Sequence, residues 1–224
     1  MRARRQARVS TPPIAPLGDI RFRQLVGADA WDRLPDAVRR RFSHRSAAGE
    51  SCVYAGHILE TRMTGFGLAM AHLLRIIGAP LPLERGNAGA AAVVTVTERP
   101  DGSGQFWTRE YVRRRGFPQV IHSTKRFAGV TGIEETVGYG VTMSLRLQAR
   151  PGALFFLSEQ YFIRLGKMRL PIPGRLLLGD IAVGHVDRGE DAFEFTLEVV
   201  HPLLGCIIRQ RALFRDLLAA ETSE

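Results

Sequence analysis

From Val137 to Leu147 the chain alternates strictly. Val137, Tyr139, Val141, Met143, Leu145 and Leu147 are apolar, and Gly138, Gly140, Thr142, Ser144, Arg146 and Gln148 stand between and after them. A period of two over that length predicts a long strand with one dry and one wet face. Comparable patterns recur at Val53–Met63, Ala90–Glu98, Gln105–Val112, Gln119–Phe127, Ala153–Leu165, Ile181–Asp187, Phe193–Val200 and Cys206–Phe214. The alternating segment extends over Ile133–Ala149, where Gly138 and Gly140 permit a sharp bend. Pro151-Gly152, Arg188-Gly-Glu-Asp191 and Arg99-Pro-Asp-Gly-Ser-Gly104 are turn sequences between strands.

Two segments follow the helical period instead. Leu34, Val38 and Phe42 recur at i, i+4 and i+8 behind Pro35, with Arg39, Arg40 and Arg41 expected on the wet side. In Gly65–Ile77, Phe66, Met70, Leu73, Leu74 and Ile77 form one stripe, and Leu68 and Ile76 widen it. The segment is too short to span a bilayer and stops at Gly78 and Pro80. A helix apolar nearly all round is normally buried, so it is expected against the concave face of the sheet. Its polar side has few basic residues for an interfacial helix, which leaves membrane-surface contact a less favoured partner. Residues 166–179, with Leu170-Pro-Ile-Pro173 and Leu176-Leu-Leu178, read as a proline-interrupted connection with exposed leucines.

The predicted fold class is therefore α+β: predominantly antiparallel β, a strongly curved sheet or partial barrel of seven or eight strands, with an apolar helix on its concave face. Closing or covering such a sheet also manages its edges. A chain of 224 residues with 45% hydrophobic content holds one sizeable core. The expected organisation is a disordered basic arm at 1–18, a single domain at 19–218 and a flexible tail at 219–224.

Charge changes this picture only at the N-terminus. Of the net +9, residues 1–50 carry eleven arginines against five acids, and the remaining 174 residues are nearly balanced at twenty against seventeen. The arginines near the N-terminus lack the following apolar run of a secretory signal, so a cytoplasmic location is expected. Lys125 and Lys167 are the only lysines among 31 basic residues, a bias that weakens any argument from arginine abundance alone. Cys52 and Cys206 show no metal-ligand spacing and read as buried free thiols.

Catalytic constellations are sparse. The six histidines are scattered; His122 and His201 read as structural, the second shaping a turn before Pro202. Glu134 and Glu135 are adjacent on a strand and point to opposite faces, so they do not form an acid–base pair. No Gly-x-Ser-x-Gly elbow supports a hydrolase. Trp107, Arg109 and Tyr111 share a face and lead to Arg113-Arg-Arg115, the ingredients of a single-stranded nucleic-acid platform. With a nearly balanced body, a solvated strand and basic turn is the preferred reading, and nucleic acid is not an expected partner.

The Trp107-Thr-Arg-Glu-Tyr111 strand, Leu170-Pro-Ile-Pro173 and the ending Val199-Val-His-Pro-Leu-Leu-Gly-Cys-Ile-Ile-Arg-Gln-Arg-Ala-Leu213 are similar to the bacterial domain of unknown function 4166 family over residues 25–215. That family supplies no catalytic residues to carry over. Some members resemble appendages behind a saccharopine-dehydrogenase-like nucleotide-binding module, which implies a dehydrogenase-like protein as a candidate partner. This chain has no Gly-x-Gly-x-x-Gly after a strand, so no dinucleotide cofactor is implied.

The surplus of large apolar side chains together with an apolar helix suits the walls and roof of a cavity. The functional expectation is non-enzymatic binding of an apolar or amphipathic small molecule between sheet and helix. Phe66, Met70 and Leu74 are the candidate roof, and Tyr139, Met143, Phe156 and Phe162 the candidate walls. Neither metal nor cofactor is expected. The rival readings are an interaction domain using the leucines of 170–178, and an enzyme whose polar cluster lies inside the cavity.

Overall fold

A computed structural model describes residues 17–76, 78 and 81–216. The first three helices are α1 (Arg21–Val26), α2 (Ala28–Asp32) and α3 (Asp36–Ser43); β1 (Leu17–Gly18) and β2 (His44–Arg45) pair around them. Then come β3 (Ser51–Met63), α4 (Gly65–Ile76), β4 (Ala91–Glu98), β5 (Gly104–Tyr111), β6 (Gln119–Arg126) and β7 (Glu134–Thr136). The chain finishes with β8 (Val141–Arg150), β9 (Ala153–Leu165), β10 (Met168–Ile172), α5 (Gly174–Leu177), β11 (Asp180–Asp187), β12 (Ala192–His201) and β13 (Gly205–Asp216). Of the expected arm, Leu17 and Gly18 are strand; residues 1–16 and the expected tail lie outside the described residues.

The sheet closes. Strands run in the order β9-β11-β12-β13-β3-β4-β5-β6-β7-β8, and β8 pairs back to β9, giving a ten-stranded antiparallel barrel with β10 added outside β9. Closure removes the two free edges that an open sheet of this length would present. Along β13, Ile208, Gln210, Ala212 and Phe214 are buried while Arg209 and Arg215 are exposed. Apolar side chains thus make up most of the lumen and most charges face outward, the reverse of a lipid-embedded barrel. No described helix is long and apolar enough to cross a membrane.

The alternating run from Val137 to Leu147 is not one strand. Glu134–Thr136 and Val141–Arg150 form a hairpin in which Thr136 faces Thr142 and Glu135 faces Met143. The turn Gly138–Gly140 puts Tyr139 at φ 53° and Gly140 at φ 80°. A Cβ on Gly140 would also meet the Arg164 carbonyl at 2.5 Å, so the position needs glycine. Paired positions are an even number of residues apart, so inward parity survives the reversal and one pattern runs through two strands. Leu145 and Leu147 are buried as the pattern predicts, but Thr142 and Ser144 are buried as well. Thr142 bonds Thr136 and the Gly140 carbonyl, and a register shift lies between Met143 and Leu145.

The two barrel ends are closed differently. At one end Phe22, Trp31, Leu34, Val38 and Phe42 of the N-terminal helices pack on Leu145, Leu147, Leu154 and Phe156. The stripe Leu34, Val38 and Phe42 is buried as expected, whereas Arg41 of the supposed wet side lies over the Phe193 ring at 3.7 Å. At the other end α4 crosses the mouth, a different placement from the concave face expected of it. Its first turn sits against β13, where a Cβ on Gly67 would lie 2.3 Å from the Ile207 carbonyl. Beyond its last turn the Gly78 carbonyl accepts from the Gly138 N–H, on the opposite side of the ring. Twelve helical residues span about 18 Å, and Met70 and Ala71 on its underside join the barrel core.

Candidate functional site

The lumen holds two cavities with a polar partition between them. The smaller, about 40 Å³, lies toward the N-terminal helices and is bounded by Arg41, Tyr54, Trp107, His185 and Phe193 among others. The larger, about 80 Å³, lies toward α4 and is walled mainly by apolar side chains, including Leu74, Leu81, Tyr111, Met143, Val183 and Leu197. Arg109 and Phe195 border both.

Consecutive inward positions on three neighbouring strands build the partition. β5 supplies Arg109 between Trp107 and Tyr111, β6 supplies Ser123 and Lys125, and β7 supplies Glu135. Lys125 Nζ is 3.1 Å from Glu135 Oε1, and Arg109 Nη2 is 3.5 Å from the same oxygen. Arg109 Nη1 donates to Ser123 Oγ at 3.2 Å. Trp107 lies under the ammonium, 4.2 Å from its ring centre. Two buried cations therefore face one carboxylate.

The environment sets the protonation of each group. Burial pushes the Glu135 carboxyl upward, but Lys125 and Arg109 outweigh it and hold the group below the usual carboxylate range. Burial lowers Lys125, with Glu135 offsetting only part of the effect. His185 is lowered well below the ordinary histidine value by burial and then by Arg41, Lys125 and Arg109, so it is neutral. The lumen thus carries an excess of positive charge. Among the described residues, Arg41 Nη1, His185 Nδ1 and Gln210 Oε1 are buried with no hydrogen-bond partner, and such atoms call for a bonding group to complete them.

The seven residues expected to form the cavity are dispersed. Leu74 and Met143 line the larger cavity. Met70 is buried in the adjoining core. Phe156 is buried toward the other end, among Phe22, Phe42 and His185. Phe66 is half exposed beside His201, Tyr139 is 80% exposed in its turn, and Phe162 is on the outer wall under Arg169. These last four do not wall the cavity, because three lie outside the lumen and one is packed solid at its far end.

Other expectations are corrected too. Trp107, Arg109 and Tyr111 do share a face, but it is the lumen and not a solvated surface. Cys206 is exposed and Cys52 half-buried, both as free thiols. His122 bonds Thr108 on the outer surface, and His201 holds the Leu176 carbonyl and the Leu203 N–H, shaping its turn. Glu134 faces outward between Arg164 and Arg169, opposite in direction to Glu135. Sequence reading missed Lys125, Glu135 and His185 as inward groups. The available signal was phase: each stands two residues from an apolar or small inward neighbour. Among the described residues no group of three His, Cys, Asp or Glu is placed to hold a metal ion.

No curated protein matches the chain. The profile of the family described as Domain of unknown function (DUF4166) matches residues 34–214, a span running from Leu34 and α3 through nine whole barrel strands and nearly all of the tenth, β13. The polar partition and both cavities are built almost wholly from that span, and the chain belongs to the DUF4166 family.

Proposed function

We propose that this domain is a non-enzymatic binder of a small amphipathic molecule carrying an anionic group. The apolar part occupies the cavity beneath α4, and the anionic end meets Arg109. The observation that carries this reading is the two-to-one ratio of cations to carboxylate at the floor of an apolar cavity. A buried charge without a full counter-charge is costly, and an anion bound there would relieve it. Size restricts the occupant. The cavity of about 80 Å³ is smaller than the roughly 150 Å³ that accommodates benzene, so a chain as long as hexanoate enters only by displacing Leu74 or Leu81.

The test compares hexanoate with hexanol by thermal shift and calorimetry. Hexanoate is expected to raise Tm and hexanol to do so much less, since a ligand at about 100 times its Kd stabilises by about 2.7 kcal/mol. Leu74→Trp, which fills the cavity, should abolish the shift. Equal effects of the two ligands, or an undiminished shift in Leu74→Trp, would refute the reading.

One observation favours an enzyme: a buried lysine of lowered pKa is the kind that forms imines with carbonyl compounds. Lys125 borders neither cavity, so binding is the better supported function. Borohydride trapping of a small aldehyde on Lys125 would reverse that preference.

A further inference from the structure

The exposed apolar side chains of this barrel are gathered at one end. Fifteen of the eighteen large ones among the described residues lie on α4, α5, β10, the turns around the mouth that α4 crosses and the strand ends of β6, β9 and β12 that meet them. Only Ile20, Phe106 and Val130 lie elsewhere. Five of them sit on separate segments: Phe117 between β5 and β6, Tyr139 between β7 and β8, Met168 at the start of β10, Leu203 between β12 and β13, and Ile76 at the end of α4. Phe117 is 91% exposed and Leu203 83%. A monomer's apolar surface is normally scattered, and such concentration marks a contact surface.

Charge identifies what the surface contacts. Arg75, Arg85, Arg114, Arg115 and Lys167 are exposed at the same end. None of the five is ion-paired among the described residues; of the acids at this end, Glu84 and Asp180 are held by Arg113 and Arg175, and Glu110 is exposed. α4 alone is poor in basic residues, but the neighbouring turns supply them. Isolated apolar tips interleaved with unpaired cations match the layered chemistry of a lipid interface, with anionic headgroups outside and acyl chains beneath.

We infer that this end of the barrel docks on an anionic lipid bilayer, with Phe117, Leu203 and Ile76 entering the interface and Arg75, Arg114, Arg115 and Lys167 meeting the headgroups. The docked mouth is the one closed by α4, so a molecule leaving the larger cavity past Leu74 passes directly into lipid. Docking does not depend on the ligand reading, because the rim is complete without an occupant.

The experiment is co-sedimentation of the full chain with phosphatidylcholine vesicles, with and without phosphatidylserine, at low and high salt. Binding is expected only with phosphatidylserine and should fall steeply with salt. Phe117→Ser with Leu203→Ser, and separately Arg114→Glu with Arg115→Glu, should each weaken it at least tenfold while leaving Tm unchanged. Ile20→Ser, beside the N-terminal helices at the opposite end, should bind like the wild type. Failure to sediment with phosphatidylserine vesicles, or rim variants that bind as well as wild type, would overturn the inference. So would a stable self-association of the chain that Phe117→Ser with Leu203→Ser dissolves, because the apolar rim would then be a protein interface.

Discussion

Replacing Glu135 by Gln should be the most damaging conservative change in the lumen. Its carboxylate is the partner of two buried cations, at 3.1 Å from Lys125 and 3.5 Å from Arg109. With an effective dielectric constant of about 20, each attraction is worth about 5 kcal/mol before desolvation is counted. The carboxylate's own desolvation cancels much of that sum, and removing one partner of a buried pair costs about 3–5 kcal/mol overall. Lys125→Met has the opposite logic. Lys125 is 2% exposed beside Trp107 and Phe156, so a methionine of similar shape keeps the packing and leaves Arg109 and Glu135 as a balanced pair. Its cost should be below about 1 kcal/mol, or the variant should gain stability. Urea unfolding read by tryptophan fluorescence measures both, and equal m-values show that the fold is retained. A loss below about 1 kcal/mol in Glu135→Gln, or equal losses in the two variants, would refute the assignment of excess positive charge to the lumen. Lys125→Met should also weaken hexanoate binding, because it leaves Arg109 fully matched by Glu135.

Acid should destabilise the protein in two stages. The unfolded His185 takes up a proton near pH 6.5 that the buried ring refuses, so stability falls as pH drops below about 6.5, by up to about 1.4 kcal/mol per pH unit; Glu135, whose folded pKa is depressed, adds its loss as pH falls below its ordinary value of 4.5. Chemical denaturation across this range checks it, and a His185→Phe variant that retains the first slope would disprove the assignment. Leu145→Asp should cost several kcal/mol by placing an unpaired charge in the core, whereas Arg146→Asp on the outer wall should cost about 1 kcal/mol or less; equal losses would mean that the inward face of β8 is misassigned.

Periodicity exposed most of this fold because each strand has only two faces. The inward set Ile208, Gln210, Ala212 and Phe214, the buried stripe Leu34, Val38 and Phe42, and the apolar helix at Gly65–Ile76 follow from local spacing alone. The hairpin at Gly138–Gly140 stayed hidden for the same reason. A reversal that preserves parity leaves the alternation unbroken, and periodicity reports faces, not direction. Glu134 and Glu135 were separable as opposite in direction, and only the phase of Ile133 and Val137 marks Glu135 as the inward one.

Chain sequence by itself determined strand faces, the apolar lid helix, the motifs shared with the family and the positions of the glycine turns other than Gly138–Gly140. Only the tertiary structure decided that β8 returns to β9, because closure depends on the sum of twist and stagger over ten strands. Closure in turn made the inward face of Trp107, Arg109 and Tyr111 a lumen, when the same pattern on an open sheet would face water. Pairing of β5 with β6 and of β6 with β7 brought Arg109, Lys125 and Glu135 together, with Lys125 directly opposite Glu135. Each looks like a surface residue along the chain, since the charge of one side chain carries no information about which opposite charge will meet it on the neighbouring strand.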